Sequence, residues 1–327
     1  MIKNKYKLEK IKGDASFRSF YRKIEKTKKS IIVYAPKEKE KNLLIYDAVN
    51  SLLIKNKILA PKLYTENYKK NYIEIEDFGD ETVFNLLKKN KNPKKTLFKK
   101  SIELLCKIQK IKQNKIKNFN SKIYKIPKYD KLLLYKEANF FNEWYAKKFV
   151  KKNKLRIFKT EINKQIRILL TNLKSKEHIF VHRDSHVSNL IKFKNKLAVI
   201  DTQDALIGNR AYDLASLIDD VRFKTDKKFK NNIYNYYLKF NKNKISENIL
   251  LNDFEILSVL RNMKIIGIFT RLAMRDRKKK YLTLIPYAWK LIELRASNSV
   301  IFSELKRILD IFFSKKIRSL KWKFKLH

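Results

Sequence analysis

Polar side chains of types that could carry chemistry lie close together in one short stretch, "VHRDSHVSNL", residues 181–190. Asp184 follows a His and an Arg, and Asn189 comes five residues later. Asp201 ends the next apolar run. Transfer of a phosphoryl group needs a carboxylate that orients and deprotonates the acceptor hydroxyl, and oxygen ligands for the cation that neutralises the phosphates. The spacing favours Asp184 as the base, and Asn189 and Asp201 as ligands of Mg²⁺.

Two strands must hold this polar stretch in place. "HIFVH" (178–182) precedes it and "KLAVID" (196–201) follows it, after the basic turn "KFKNK". Both runs are short, apolar and bounded by polar residues, which indicates strands. The sequence therefore predicts a loop that carries Asp184 and Asn189, with Asp201 at the end of the second strand.

The rest of the chain changes character near residue 80. Before it, β-branched and aromatic residues predict strands over 16–24, 30–36 and 71–80, with one helix over 42–57. After it the helical period dominates. The predicted helices span 97–112, 131–152, 158–175, 229–241, 251–275, 285–296 and 300–317. The predicted outline is a small β-rich part followed by a larger, mainly helical one.

The composition of the 327 residues is that of a folded intracellular protein. Hydrophobic residues make up 44% of the chain, which is enough for a sizeable core. The single cysteine, Cys106, cannot form an internal disulfide, and the N-terminus lacks the apolar core of a secretory signal. No apolar run approaches the roughly 18 residues of a membrane-spanning helix. We therefore expect a cytoplasmic protein without a membrane span.

The formal net charge of +46 raises the question of a nucleic-acid partner. Lysines occur along the whole chain beside abundant Asn, Ile, Tyr and Phe, so compositional bias explains the charge best. The basic runs 275–280 and 314–325 could hold RNA or anionic lipid, although a solvated helical face is the simpler interpretation. A basic RNA-binding or membrane-surface protein stays open as an alternative, but no specific nucleic acid is expected.

The segment "VHRDSHVSNL…VIDTQDALIGNRAYDLASLIDD" (181–220) resembles the aminoglycoside phosphotransferase group of kinase-like folds. Within that group, the chain is most similar to the bacterial N-acetylmuramate/N-acetylglucosamine anomeric kinases of cell-wall recycling. The similarity extends in order to "GDASFRSFYR", "APKEKEK", "IEDFGDET", "IPKYDKLLLYKEANFFNEWY" and "MKIIGIFTRLAMRDRKKKYL". It implies an α+β, bilobal, protein-kinase-like fold, with an N-terminal nucleotide-binding lobe over 1–78 and a C-terminal catalytic and substrate-binding lobe over 79–327.

The resemblance also implies the cofactors, ATP and Mg²⁺, and the residues that contact them. Asp184 would be the catalytic base, and Asn189 and Asp201 would bind the metal. The turn "GDASFR" would lie over the ATP phosphates, and "EDFG" would form the hinge beside adenine, where Glu76 and Phe78 mark a position more than a side-chain role. The residues of the turn implied to contact ATP are Asp14, Ala15, Ser16, Phe17 and Arg18.

The implied substrate is a small sugar, and several side chains are candidates for recognising it. His186 could contact the sugar or bond within its own loop, and Gln203 and Asp204 could reach a sugar hydroxyl or cap a turn. Asn142 and Glu143 lie in "FFNEWY", whose aromatics are better explained as helix core. The oligomeric state is not indicated by the sequence.

The sequence departs from the kinase pattern in two places. Kinase folds usually carry a lysine on the third strand that pairs with a helix glutamate, whereas "SIIVYAP" has none. Lys37, Arg18 or Arg22 could supply that charge. Ser185 and Ser188 also stand where an aromatic and a basic residue are expected. Another acceptor of the aminoglycoside, choline or homoserine type therefore stays open.

Overall fold

The computed structural model describes residues 6–11, 18–36, 42–90, 93–241 and 246–320. The chain divides into two compact units. The first unit comprises Met1–Pro127 and Phe180–Ile207, and the second comprises Lys128–Ile179 and Gly208–His327. These boundaries differ from the lobes predicted over 1–78 and 79–327, which stay a prediction. The polar stretch that follows residue 180 belongs to the first unit.

A five-stranded antiparallel sheet forms the start of the first unit, in the order β1-β2-β3-β5-β4. The predicted hairpin is present as its second and third strands. The fourth strand was not predicted, because "LYTEN" offers little apolar surface and none of its residues is buried. The strands are β1 (Lys7–Ile11), β2 (Ser19–Ile24), β3 (Lys29–Tyr34), β4 (Leu63–Asn67) and β5 (Tyr72–Glu76).

The predicted helix over 42–57 is present as α1 (Asn42–Lys55) and packs on this sheet. Ile31 and Val33 of β3 lie in one buried cluster with Leu43 and Tyr46 of α1. Alternate residues of a strand face the same side of a sheet, so Ile31 and Val33 both lie on the side that the helix covers. The helix therefore has a fixed buried face toward the sheet.

Short elements complete the first unit around the polar stretch. Strands β9 and β10 pair antiparallel, whereas β8 pairs with β11. Strand β9 was not predicted, because half of it lies in the basic run "KFKNK", which the sequence predicts to be a turn. Phe78, which follows β5, packs in a small core with Ile191 and Ala198 of this hairpin. These elements are α2 (Val83–Lys88), α3 (Lys94–Ile108), β6 (Lys115–Lys117), β7 (Ile123–Lys125), β8 (Ile179–Val181), β9 (Leu190–Phe193), β10 (Lys196–Val199) and β11 (Leu206–Gly208).

The second unit is helical and is built around one long helix, α9, which packs against α10, α7 and a π-helix. Across the described ranges, no helix is both long enough and apolar enough to cross a membrane. Its helices are α4 (Lys131–Ala138), the π-helix (Phe141–Ala146), α5 (Lys147–Phe149), α6 (Lys152–Thr171), α7 (Ala211–Ile218), α8 (Lys227–Phe240), α9 (Glu247–Met274), α10 (Ile285–Ala296), α11 (Ser303–Phe312) and α12 (Lys315–Arg318).

The helix predicted over 131–152 is interrupted, because the π-helix separates α4 from α5. At this point the backbone of α9 comes very close: a Cβ atom on Gly267 would lie 2.2 Å from the carbonyl carbon of Phe140. Phe141 and Tyr145 of the π-helix are buried beside Trp289. Two aromatics of "FFNEWY" are therefore core residues, as predicted, whereas Phe140 and Trp144 are half-buried.

Gly267→Ala is expected to lower the free energy of unfolding by about 2 kcal/mol, as other overpacked cores do. The sign of this change in unfolding free energy is informative, because replacing glycine by alanine in a helix with free space around it stabilises the folded protein by up to about 1 kcal/mol. Denaturant unfolding of both proteins measures the difference. Met274→Ala, at an exposed position of the same helix, is the control and should change stability by less than about 0.5 kcal/mol. A stabilised Gly267→Ala protein would contradict the close contact.

Candidate active site

His182 connects the two predicted chemical centres. Its ring is fully buried, its Nε2 lies 3.0 Å from the carbonyl oxygen of Ile200, and its Nδ1 accepts a hydrogen bond from the Asp184 backbone N–H at 3.3 Å. Because Nδ1 accepts, the ring proton belongs on Nε2, which donates to Ile200. One imidazole thus fixes the backbone of Asp184 relative to the residue that precedes Asp201.

Asn189 closes the loop around Asp184. Its side-chain Nδ2 donates to the backbone oxygen of Asp184 at 3.0 Å, and its backbone oxygen accepts from the Ile200 N–H at 3.0 Å. The amide nitrogen is committed to the loop, so the carbonyl oxygen Oδ1 is the atom that could bind a cation. The predicted loop therefore brings Asp184, Asn189 and the start of the Asp201 segment together.

Two residues of this region have left-handed backbone conformations, Arg183 with φ of 76° and Asp201 with φ of 62°. Such conformations are uncommon for residues with a side chain and cluster at functional sites. The guanidinium of Arg183 lies 3.6 Å from Asp204, which braces the loop from its other side. The chain holds strain at the places where the predicted chemistry would occur.

The carboxylate of Asp201 lies among charged and polar groups. Arg18 Nη2 is 3.3 Å from its Oδ1, and Gln203 Nε2 donates to the same oxygen at 3.1 Å. Burial raises the pKa of Asp201, as do the charges of Asp184 and Asp204, while Arg18 and Gln203 act in the opposite direction. Two carboxylates in one neighbourhood are an arrangement that a bound cation would stabilise.

The residues present fit a cation that is shared with a phosphate ligand. Among the described residues, no group of three or more His, Cys, Asp or Glu side chains could hold a metal by itself. Asp201 and Asn189 offer one carboxylate and one amide oxygen, and Mg²⁺ is commonly bound by one or two carboxylates together with phosphates and water. This donor set suits Mg²⁺ bound to a nucleotide better than a closed protein site.

The predicted phosphate turn is only partly described. Asp14, Ala15, Ser16 and Phe17, and also Lys37, lie outside the described residues. Arg18 is described and contacts Asp201. Arg22, the other candidate for the missing charge, binds two carboxylates instead. Its guanidinium donates to Asp77 at 2.6 and 3.2 Å and to Asp80 at 2.8 and 2.9 Å.

The predicted hinge follows β5. Glu76 pairs with Ser30 at the end of the sheet, and the ring of Phe78 packs at 4.8 Å from that of Phe193. Gly79 then takes a positive φ of 80°, and its N–H donates to Asp77 at 2.8 Å. The Phe78 side chain is thus part of the core, so any contact of this segment with adenine would come from the backbone. The hinge role itself stays a prediction.

Three of the residues predicted to contact the sugar lie in the first unit, in or near the loop that carries Asp184. Gln203 also donates to Asp204 at 2.9 Å, so it links this carboxylate to Asp201. Half of the Asp204 side-chain surface is exposed, whereas His186 is buried and its backbone bonds within the loop. Their contacts with a substrate stay predictions.

The other two candidates lie in the second unit, on the π-helix. Asn142 is buried and donates to Asn139 and Asn163, both at 2.8 Å. Glu143 is exposed and accepts from Asn139 at 3.2 Å. Asn142 therefore has a structural role between helices, and a role of either residue toward a sugar stays a prediction.

No sequence pattern predicts the hydrogen bond that Thr202 Oγ1 donates to Asn50 Oδ1 at 2.6 Å, which ties α1 to the residue after Asp201. Both side chains are buried. The two positions are 152 residues apart. The one feature of the sequence that could have indicated this contact is a polar residue, Asn50, on the apolar face of a predicted helix.

The sequence model of the APH group, described as the phosphotransferase enzyme family, matches residues 7–247. The chain belongs to this phosphotransferase enzyme family. The predicted resemblance to the aminoglycoside phosphotransferase group is confirmed, and so is the predicted class of enzyme, an ATP-dependent small-molecule kinase.

Curated relatives of this phosphotransferase carry one name. The N-acetylmuramate/N-acetylglucosamine kinase of Pseudomonas putida is 25% identical over 279 residues, which are 84% of this chain and 79% of the relative. The kinase of the same name from Neisseria meningitidis is 26% identical over 282 residues, 84% of this chain and 81% of the relative.

Solved structures of low identity share the fold. An ethanolamine kinase of Plasmodium vivax superimposes with a TM-score of 0.63 at 16% identity, over 92% of this chain and 84% of that one. An amicoumacin kinase, solved with AMP-PNP and Ca²⁺, superimposes with a TM-score of 0.61 at 13% identity, over 89% of each chain. The predicted protein-kinase-like α+β fold of this phosphotransferase is therefore confirmed.

Proposed function

We propose that this phosphotransferase transfers the γ-phosphoryl group of ATP to the anomeric hydroxyl of an N-acetyl amino sugar, N-acetylmuramate or N-acetylglucosamine. The name shared by the curated relatives over most of the chain supports the choice of acceptor. The double hydrogen bond of His182, which fixes Asp184 beside the Asp201 segment, is the observation that carries the reaction type. The product, a sugar 1-phosphate, would suit the recycling of cell-wall sugars.

Asp184 would act as the general base. Its carboxylate accepts the proton of the sugar hydroxyl as the hydroxyl oxygen bonds to the γ-phosphorus, and ADP leaves with the electrons of the broken P–O bond. The hydrogen bonds from Asn189 and to His182 hold the backbone on both sides of this carboxylate. The base is therefore positioned before the substrate arrives, which lowers the entropic part of the barrier.

Asn189 and Asp201 would hold Mg²⁺, which when bound neutralises the charge of the phosphates. The backbone and side chains of residues 14–18 would contact those phosphates, and the segment from Glu76 to Phe78 would lie beside adenine. His186, Gln203 and Asp204 are the side chains of the first unit proposed to meet the sugar. The roles of Asn142 and Glu143 toward a sugar stay predictions.

A panel of acceptors tests the proposal. N-acetylmuramate and N-acetylglucosamine, at matched concentrations with ATP and Mg²⁺, are expected to release ADP much faster than choline, homoserine or an aminoglycoside. ³¹P NMR of the product should show the phosphate coupled to the anomeric proton. The same assay with EDTA in place of Mg²⁺ is the control and should show no turnover.

Two results would contradict the proposal. Phosphate on a different hydroxyl, or a faster reaction with choline, homoserine or an aminoglycoside, would assign another acceptor to the same fold. Absence of turnover with every acceptor, together with RNA binding that weakens steeply as salt is raised, would favour the basic RNA-binding alternative.

A further inference from the structure

The third strand of the sheet lacks the lysine that kinase folds use to grip the nucleotide phosphates. The lysine of β3, Lys29, is its exposed first residue and lies opposite Ile24. Buried Ser30, the next residue, donates to Glu74 at 2.6 Å and carries no charge. Both the cation and its link to the helix must therefore come from elsewhere.

Arg18 lies where such a cation is needed. Only 5% of its side chain is exposed, and its Nη2 is 3.3 Å from Asp201 Oδ1. Its Cζ lies 5.8 Å from the ring centroid of Phe20 and 5.9 Å from that of Tyr46. Two aromatic rings and a carboxylate thus surround the guanidinium of Arg18.

Helix α1 presents uncharged groups to the same region. Tyr46 and Asn50 are four residues apart and so share one face of the helix. Burial raises the pKa of Tyr46 to about 12, so its phenol is neutral beside Arg18 and Asp201. Asn50 Oδ1 accepts from Thr202 Oγ1 at 2.6 Å. A neutral hydrogen bond thus links helix α1 to the segment that carries Asp201.

The Asn50–Thr202 bond acts on the residue directly after Asp201. Asp201 has a strained, left-handed φ of 62°, and a strained residue keeps its conformation only when its neighbours are fixed. His182 fixes the carbonyl group before it, and Thr202 fixes the chain after it. Helix α1 is therefore connected to the orientation of the proposed metal ligand.

We propose that Arg18, Asn50 and Thr202 together replace the lysine–glutamate pair of the kinase fold. Arg18 supplies the charge for the nucleotide phosphates. Asn50 and Thr202 are positioning residues that keep Asp201 in the orientation that binds the cation. The inference rests on the proposed binding of a nucleotide with Mg²⁺, and it adds Asn50 and Thr202, which no motif of the sequence singles out.

Thr202→Val tests the positioning role, because valine keeps the shape and removes the hydroxyl. Binding of ADP is measured by calorimetry in EDTA and in Mg²⁺. The affinity in EDTA is expected to stay within about twofold of wild type, while the increase in affinity caused by Mg²⁺ falls by about five- to tenfold, the size of one lost hydrogen bond. Thr202→Ser, which keeps the hydroxyl, should restore most of the response to Mg²⁺.

Thr270→Val is the matched control. Thr270 is a buried threonine of the second unit whose hydroxyl bonds within its own helix, and its replacement should leave the response to Mg²⁺ unchanged. Asn50→Ala removes the acceptor of the Thr202–Asn50 hydrogen bond and should reduce the response to Mg²⁺ in the same way. It serves as the test if the Thr202→Val protein does not fold. A wild-type response to Mg²⁺ in both variants would overturn the positioning role. Failure of the wild-type protein to bind any nucleotide would instead reject the proposed function.

Arg18→Gln tests the cation separately. Its ADP affinity is expected to fall by about tenfold or more in EDTA and in Mg²⁺ alike, because a charged donor to phosphate is lost. Arg22→Gln is the comparison and should lose much less, since the Arg22 guanidinium pairs with Asp77 and Asp80 and not with the proposed metal ligand Asp201. An equal loss in the two variants, or a loss confined to Arg22→Gln, would overturn the assignment of Arg18.

Discussion

Asp184→Asn is expected to reduce kcat by about 10³-fold or more while ADP still binds with nearly unchanged affinity. Asparagine has the shape of aspartate but cannot accept the proton of the sugar hydroxyl. The hydrogen bonds of the Asp184 backbone, from Asn189 and to His182, do not depend on the carboxylate, so the loop should keep its conformation. Steady-state kinetics with N-acetylmuramate, together with calorimetry of ADP binding, measures both quantities.

Glu25→Gln is the control for the loss of a carboxylate in the same unit. The Glu25 side chain is 39% exposed and paired with Lys23, and its replacement should leave kcat within about twofold, as expected for a partly exposed ion pair. Turnover of Asp184→Asn at a rate close to wild type would reject Asp184 as the base. A loss of ADP binding in parallel with kcat would show that the loop had changed conformation.

The second large effect is expected on stability, at Asp219 in the second unit. This carboxylate is fully buried and accepts from Arg295 Nε at 2.8 Å and Arg295 Nη2 at 3.0 Å. Lys230 Nζ lies 3.0 Å away, and Ser258 Oγ donates at 2.6 Å. Burial alone would raise the pKa of Asp219, but the charges of Lys230 and Arg295 outweigh it and hold the pKa well below its ordinary value.

Asp219→Ala is expected to lower the free energy of unfolding by about 3–5 kcal/mol, because it leaves two buried cations without a counter-charge. Chemical denaturation at pH 7 measures the loss. The ionised Asp219 carboxylate contributes its full stabilisation of the folded state above the ordinary aspartate pKa of about 4. That stabilisation is lost as the pH falls from there through the lowered pKa of Asp219. The difference between wild type and variant should therefore shrink on acidification.

Glu304→Ala removes the acid of an exposed ion pair with Arg307 and is the control. Such pairs contribute about 0.2–1 kcal/mol, and salt should weaken the contribution further. Equal losses in the two variants would mean that Asp219 is in contact with water and is not the centre of a buried charge cluster.

The loop that brings Asp184 and Asn189 together could be predicted from the sequence because its geometry is local. The two residues are five positions apart, and the predicted strand that ends at Asp201 follows directly. The contact of Arg18 with Asp201 spans 183 residues, and that of Asn50 with Thr202 spans 152. Contacts of that length depend on the packing of the whole unit, which periodicity and spacing do not encode.

The helices were predictable where one face is apolar, and their interruptions were not. The predicted helix over 285–296 has its bounds in the structure, because its apolar positions recur with the helical period. The π-helix over Phe141–Ala146 leaves no such mark, since it lies where Gly267 of a distant helix meets the chain. The hairpin of β6 and β7 was not predicted, because both strands are three residues long and carry lysines at exposed positions.

The left-handed conformations of Arg183 and Asp201 lower the stability of the segment that carries the proposed active site. A side chain in that conformation costs roughly 1–2 kcal/mol, which glycine would not incur. Glycine at position 183 would thus favour the folded state, since Arg183 lies 3.6 Å from an Asp204 side chain that is half exposed. Glycine at position 201 would also remove the carboxylate beside the buried guanidinium of Arg18, and that loss opposes the gain. Selection of this chain for heat resistance alone would therefore be expected to introduce glycine at position 183 and to keep Asp201.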